Sequence, residues 1–319
     1  MGLFGGRAAA GFEVGQGALR AAVLKRGGAR PGIAWAAQVE LPRGLLLNSF
    51  TEPNITDLPA FVGLVDRLFQ PAGRSASRIN VALPDHVSRV SILDFDSLQV
   101  KKDEVEQMLR WRLKKLLPFE VDQAAMRYQY LGKFQANEKD QHRFLVSIIK
   151  SDILSQYELA FREAGLKPIL IDLSSFCVWN LYEDFIKIDS EGLKCFAVMI
   201  LTGGKLTVMV FERGVPHYFR LKDMGGFDGE VNGMAVTRIL RELNASLTFY
   251  KENYGDLPVE KVYMTADDPD RIKLIADEVG NNSALKTTVL DLGLVLGKSG
   301  AKEYSSPAFG AACGAALEG

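Results

Sequence analysis

Short apolar runs separated by turn residues occur in the same order in the two halves of the chain. Three of these runs lie near the start and three more begin at residue 196: Ala10–Val14, Ala18–Lys25, Ile33–Glu40, Phe196–Leu201, Lys205–Glu212 and Val215–Leu221. Runs of this length, bounded by glycine-containing turns, predict β-strands joined as hairpins. The sequence therefore predicts two halves that begin with the same three-stranded meander.

Apolar residues at helical spacing follow each meander and predict alternating helices and strands. In the first half, a helix Leu58–Phe69 precedes a buried strand Ile79–Leu83. After a further strand Pro168–Leu173, a helix that begins at Ser174 or Ser175 leads into the second half. The predicted elements of the second half are Val231–Asn253 (helix), Lys261–Thr265 (strand), Pro269–Val279 (helix), Thr287–Asp291 (strand) and Ala308–Ala316 (helix).

The segment between the two parts of the first domain has a different order of elements. It reads as strand, charged helix, two strands and helix: Ser88–Phe95, Lys102–Leu117, Met126–Phe134, Arg143–Ile149 and Ser151–Ala164. This order predicts a small αβ module inserted into the first domain. The predicted domains are 1–84 with 167–190, the insert 85–166, and 191–319, in an α/β fold.

Composition excludes several classes of function. The 38 Lys and Arg residues nearly balance 39 Asp and Glu, for a net charge of −1, which argues against general nucleic-acid binding. No apolar run approaches the roughly 18 residues expected of a membrane-spanning helix. The cysteines and histidines are isolated and lack the spacing of disulfide or metal ligands: Cys177, Cys195, Cys313, His86, His142 and His217. A reducing cytoplasm is the expected location.

Two glycine turns are the main candidates for binding chemistry. Gly15, Gln16 and Gly17 form the first, and Thr202, Gly203, Gly204 and Lys205 form the second. Glycine allows positive φ and leaves amide N–H groups unshielded, so a pair of such turns can hold a phosphate from both sides. Two ordinary hairpins are the alternative. Lys205 is either a point charge for that phosphate or an exposed hairpin lysine.

Several short segments resemble a known family. They are Val81–Asp85 (VALPD), Leu117–Phe119 (LPF), Tyr128–Gly132 (YQYLG), Ala164–Pro168 (AGLKP) with Ile171 and Asp172, and Leu243–Asn253 followed by Pro258–Tyr263. Their order and spacing are similar to those of the type IV pilus assembly protein PilM family, over nearly the whole chain.

This resemblance implies an actin-like fold of the FtsA and PilM type, with two duplicated ribonuclease-H-like domains and an inserted subdomain called 1C. It implies a cytoplasmic scaffold, attached to the inner membrane only through its partners. The N-terminal tail of the inner-membrane protein PilN would bind in a groove involving domain 1A and subdomain 1C, and the scaffold would link it to the pilus motor ATPases. ATP with Mg²⁺ would bind between the two glycine turns.

The residues depart from this family pattern at the nucleotide site. Glu13 stands where the first phosphate strand normally has aspartate, and Thr202 begins a second turn that lacks its usual aspartate, which removes an oxygen ligand for Mg²⁺. The segment after Gly225 and Gly226 is shorter than usual in the family, which reduces the part of the nucleotide cleft that would receive adenosine. Gly310 belongs either to a late adenosine-binding turn or to tight helix packing. We expect a degenerate site with weak or lost ATP binding and no catalytic residues.

The charged helix of the insert is the candidate partner surface. Its apolar stripe leaves Trp111 near a polar face, and its basic C-terminal part includes Lys115 before Pro118 and Phe119. A displaced tryptophan beside a proline suggests a surface that a peptide covers. Burial of Trp111 by neighbouring loops is the alternative. Leu83 and Pro84 complete the predicted partner-binding set.

Two other functions compete with the scaffold. One is an active, ATP-binding actin-like protein of the FtsA type, which would need intact acidic turns. The other is a component of type II secretion similar to GspL, a protein of related fold that continues into a transmembrane helix. The altered turns and the lack of a membrane-spanning run favour the PilM-like scaffold.

Overall fold

The computed structural model describes residues 9–25, 30–70, 78–96, 102–136, 139–225, 233–255, 257–283, 285–297 and 306–318. Its strands are β1 (Ala9–Val14), β2 (Ala18–Lys25), β3 (Gly32–Glu40), β4 (Arg78–Leu83), β5 (Ser88–Phe95), β6 (Ala124–Ala136), β7 (Lys139–Lys150), β8 (Lys167–Leu173), β9 (Cys195–Thr202), β10 (Lys205–Glu212), β11 (Val215–Asp223), β12 (Lys261–Ala266) and β13 (Lys286–Val289). Its helices are α1 (Leu58–Phe69), α2 (Lys102–Leu113), α3 (Ser151–Glu163), α4 (Ser174–Asp189), α5 (Gly233–Asn253), α6 (Pro269–Asn282) and α7 (Gly310–Leu317).

The two halves contain five-stranded sheets with the same topology. The strand orders are β3-β2-β1-β4-β8 and β11-β10-β9-β12-β13. In each sheet an antiparallel meander is extended by two parallel strands. The central strands β9 and β10 are buried at every position but their last, which explains their unbroken apolar runs. The predicted duplication is confirmed.

The insert is a three-stranded antiparallel sheet, in the order β5-β7-β6, with α2 on one face. Buried residues of α2 pack against alternate residues of β7: Val105, Leu109 and Leu113 against Phe144, Val146 and Ile148. Because side chains alternate along a strand, Leu145 and Ser147 point to the opposite face of the sheet. That face is not covered by α2.

Helix α2 ends four residues before the predicted end at Leu117. The chain turns at residues 114–116, where the amide of Leu116 donates to the carbonyl of Leu113. The ring of Pro118 disfavours helical geometry at the residue before it, which explains the early end. Strand β5 has the predicted bounds, whereas β6 and β7 are longer than predicted, and β7 extends to Lys150.

Helix α7 lies near the C-terminus but packs on the first sheet, against β1, β2 and β4, and against α4. The side-chain amide of Asn80 on β4 donates to the backbone carbonyl of Ala315 at 3.0 Å. One apolar core connects residues of both sheets with α4 and α7, so the two halves share a continuous buried interface. Among the described residues, no helix is long and apolar enough to cross a membrane.

Candidate functional site

A cavity of about 220 Å³ lies between the two glycine turns, and we call it the turn cavity. Most of the predicted nucleotide-site residues line it: Glu13, Gly15, Gln16, Gly17, Thr202, Gly203 and Lys205. Pro84 is also part of its wall. The structure therefore brings together two turns that are about 190 residues apart in the sequence.

The remaining glycines of the predicted set are not part of the cavity wall. Gly204 packs against Gly225, because a Cβ at Gly204 would come within 2.6 Å of the carbonyl oxygen of Gly225. Gly310 is the first residue of α7 and packs near Val178. Gly226 lies outside the described residues.

The two turns are in direct contact across the cleft. Gly203 has a φ of +53°, and a Cβ at this position would lie 3.1 Å from the Cβ of Gln16. The left-handed backbone and the close approach both require glycine here. The space between the turns is consequently narrow.

The carboxylate of Glu13 is buried and bonded to Arg20. Glu13 is only 3% exposed, and its Oε2 accepts from the guanidinium of Arg20 at 3.3 Å. Burial raises the pKa of Glu13 to about 7, although the charge of Arg20 opposes this. The sequence reading missed Arg20. Counting outward from the turn would have found it, because Glu13 and Arg20 are partners in the β1–β2 register.

Lys205 is buried and ion-paired. It is 7% exposed, and its Nζ donates to Oδ2 of Asp223 at 2.5 Å. This bond lowers the pKa of Asp223. The alternative of an exposed hairpin lysine is therefore wrong. Lys205 and Asp223 are also register partners, in the β10–β11 hairpin.

A second carboxylate reaches the turn from a distant segment. The amide of Gly203 donates to Oδ2 of Asp267 at 2.8 Å, and burial raises the pKa of Asp267. Acidic residues flanking a proline, as in 267–270, are typical of a turn and a helix cap. The structure confirms that role for Asp268, whose side chain caps α6, but it places Asp267 in the turn cavity.

Asp85 and His86 line the same cavity and were also missed. Oδ1 of Asp85 accepts from the hydroxyl of Ser175 at 2.5 Å and from its amide at 3.2 Å. Burial raises the pKa of Asp85 to about 6 and lowers that of His86 to about 4. Asp85 and His86 directly follow the carboxyl end of β4, a parallel strand, and ligand sites of α/β sheets usually lie at such ends. This position in the sequence could have identified both residues.

The predicted partner-binding residues are spread over three places. Leu83 is buried in the first domain, so its side chain has no surface to offer to a partner. Pro84 lines the turn cavity. Trp111 is 70% exposed, so the alternative that loops bury it is wrong. Lys115 and Pro118 are also exposed, whereas Phe119 is half-buried. The ring of Phe119 lies 5.2 Å from that of Phe50, where the insert meets the first domain.

A larger cavity of about 550 Å³ lies between the insert, α4 and the β10–β11 hairpin, and we call it the insert cavity. Leu145 and Ser147, on the face of the insert opposite α2, form one side. Phe176 and Trp179 of α4 are part of the facing wall. The ring of Trp179 is stacked on Phe211 of β10 with 4.3 Å between the ring centroids, which fixes its position.

The comparisons with known proteins identify the family. The family model of the type IV pilus assembly protein PilM matches residues 11–237, which is more than half of the chain. The chain belongs to the PilM family. No curated protein matches the chain. This family member has 19% sequence identity to a chain of a solved PilM–PilN type IV pilus biogenesis complex, with a TM-score of 0.76 over 97% of this chain and 98% of that one.

Two further solved structures support the fold of this PilM family member. A Bacteroides thetaiotaomicron protein with an actin-like ATPase fold has a TM-score of 0.53 at 10% identity, covering 91% of this chain and 93% of its own. The cytoplasmic domain of EpsL, an inner-membrane component of the type II secretion system of Vibrio cholerae, has a TM-score of 0.53 at 8% identity. The match covers 98% of this chain and 95% of that one. The predicted actin-like fold is thus confirmed.

Proposed function

We propose that this chain is a scaffold of type IV pilus assembly that binds the N-terminal tail of a PilN-type inner-membrane protein. The insert cavity is the observation that carries this proposal, since it lies between the insert, α4 and the β10–β11 hairpin. The family resemblance places the tail groove at domain 1A and subdomain 1C, and α4 belongs to the predicted domain 1A. The PilM–PilN complex, whose PilM has the same fold, supports the choice of partner. The scaffold would act in the cytoplasm, reach the membrane through this partner and link it to the motor ATPases, without being an enzyme.

The geometry favours the insert cavity over the surface around Trp111. Peptide and ligand sites are usually concave and lined by aromatic side chains, as the insert cavity is. Trp111 belongs to α2, which covers the other face of the insert sheet. A short tail in the cavity would therefore have the sheet between itself and α2. The earlier prediction that Trp111 contacts the tail stays open to direct test.

Replacing Leu145 by arginine should weaken binding of a PilN-type tail peptide at least about tenfold, because a bulky charge would fill the cavity that the tail needs. Fluorescence anisotropy with a labelled peptide measures the affinity. Leu159→Arg, at an exposed position of α3, is the matched control and should leave the affinity unchanged.

Trp111→Ala separates the two surfaces. Tail binding in the insert cavity predicts unchanged affinity for this variant, and its 70% exposure predicts normal folding. A tenfold loss with Trp111→Ala, together with normal binding by Leu145→Arg, would move the tail to α2 and contradict the cavity assignment.

We further propose that the nucleotide site is degenerate. A cavity of about 220 Å³ falls below the roughly 300–1,000 Å³ of ordinary ligand sites. The contact between Gln16 and Gly203 narrows it further. The small volume of the turn cavity and the close approach of its two turns support weak or lost nucleotide binding.

Calorimetric titration with ATP, with and without Mg²⁺, tests the degenerate site. We expect no saturable binding at concentrations below about 1 mM, because the narrow cleft leaves the triphosphate without its contacts. Tight binding that depends on Mg²⁺ would refute this part of the proposal. It would leave the tail-binding assignment untouched.

A further inference from the structure

The hydrogen-bond donors around the two turns are of the kinds that hold phosphate in proteins. They are a guanidinium, an ammonium group and two backbone amides: Arg20, Lys205 and Gly203 line the turn cavity, and Gly225 lies beside it. Backbone amides of glycine turns and cationic side chains bind anions because both present positive charge at close range.

Each of these donors instead bonds to a carboxylate of the chain itself. Arg20 donates to Glu13 at 3.3 Å, and the amide of Gly203 donates to Asp267 at 2.8 Å. The two carboxylate oxygens of Asp223 accept separately, Oδ2 from Lys205 at 2.5 Å and Oδ1 from the amide of Gly225 at 2.8 Å. Three carboxylates of the chain therefore accept hydrogen bonds from all four of these groups.

We propose that Glu13, Asp223 and Asp267 are internal anions that occupy the phosphate-binding donors of this site and keep polyphosphate ligands out. The inference rests on the proposed degenerate site and explains how the degeneracy is built. Glutamate at position 13 has one more methylene group than the aspartate that the family pattern has there. In this structure the longer side chain reaches the guanidinium of Arg20.

The electrostatics of the cleft agree with this arrangement. A phosphate entering the turn cavity would meet the side chains of Glu13, Asp85 and Asp267, and each of them repels it in its ionised form where water is scarce. His86, whose pKa burial lowers to about 4, supplies no compensating charge near neutral pH. The Nε of Arg20 is buried without a hydrogen-bond partner among the described residues, so its guanidinium retains an unused donor.

Neutralising the three carboxylates tests the proposal. The variant Glu13→Gln, Asp223→Asn, Asp267→Asn keeps the side-chain shapes and removes the anions. Inorganic pyrophosphate is the probe, titrated by calorimetry into the wild-type chain and the variant. We expect the variant to bind at least about tenfold more tightly than the wild type, because the repulsion is gone and the donors are free.

A charge-matched control separates local from overall effects. Glu252→Gln, Asp277→Asn, Glu278→Gln removes the same number of charges from exposed positions of α5 and α6 and should not bind pyrophosphate. Equal gains in both triple variants would show only an effect of net charge and overturn the proposal. A folded test variant without any gain would also overturn it.

Asp223→Asn alone covers the case in which the triple variant does not fold. The side chain of Asp223 is 66% exposed, so its replacement leaves the core intact. We expect a smaller gain in pyrophosphate affinity, through Lys205 and the amide of Gly225. No gain in this variant would overturn the proposal. The titration of the wild type with ATP tests the degenerate site, and the titrations with pyrophosphate test the role of the carboxylates. The two proposals can therefore fail independently.

Discussion

Replacing Gly314 by alanine is expected to lower the free energy of unfolding by about 3 kcal/mol or to prevent folding, because a well-packed core cannot absorb the added methyl group. The new Cβ would lie 1.8 Å from the carbonyl oxygen of Cys177 and 2.5 Å from its carbonyl carbon. These are backbone atoms of α4, so no side-chain rotation relieves the clash. Urea unfolding followed by circular dichroism measures the change.

Gly63→Ala is the matched control for this prediction. Gly63 is an exposed residue of α1, and a Cβ there would meet no atom within 4 Å. Alanine in a helix is favoured over glycine by about 0.5–1 kcal/mol, so this variant should be more stable than the wild type. The two variants make the same chemical change with opposite expected signs. A mild effect at Gly314 would show that α7 is free to move away from α4.

Helix α7 is tightly packed against β1, the strand that leads into the turn cavity. Gly11 of β1 also has no room for a Cβ, which would lie 1.9 Å from the carbonyl oxygen of Ala312. Strand β1 also carries Glu13, two residues further on. Two glycine contacts thus fix α7 between β1 and α4.

The sequence was sufficient to predict the duplicated meanders, because buried strands leave unbroken apolar runs and hairpin turns need glycine. The two ion pairs beside the glycine turns could also have been predicted from the sequence. Glu13 with Arg20, and Lys205 with Asp223, are cross-strand partners close to their hairpin turns, and register follows from turn geometry. Counting pairs along each hairpin would have identified both.

Other parts of the site depend on contacts that local patterns do not contain. Asp267 reaches Gly203 across 64 positions in the sequence, and the Asp267–Asp270 run equally fits a helix cap. The insert cavity depends on which face of the insert sheet turns toward α4 and β10. Periodicity predicted that α2 has an apolar face, but it cannot say which side of the sheet this face covers. Trp111 was singled out because it lies near the polar face of this helix and precedes Pro118.

The contribution of three buried carboxyl groups to the stability of the protein is expected to fall as pH rises from about 4 to about 7. Burial raises the pKa of Asp85 and Asp172 to about 6 and that of Glu318 to about 7. Below the unfolded pKa values, near 4, these groups are protonated in both states and their stabilising contribution is fully present. It is lost as pH rises through 6 and 7, because the native state must then hold buried charges that the unfolded chain hydrates.

Asp172→Asn isolates one of these groups. Burial raises its pKa to about 6, and the difference from the ordinary aspartate pKa near 4 corresponds to about 2–3 kcal/mol. The variant should therefore be more stable than the wild type by up to about 2 kcal/mol at pH 8 and equal to it at pH 4, since asparagine retains the carbonyl that accepts from the amide of Leu173. Urea unfolding at pH 4, 6 and 8 measures the free energy of unfolding of the wild type and of the variant. Asp277→Asn, on the exposed face of α6, controls for removal of a surface carboxylate. A stability difference between Asp172→Asn and the wild type that stays constant from pH 4 to pH 8 would mean that Asp172 is ionised and solvated in the folded protein.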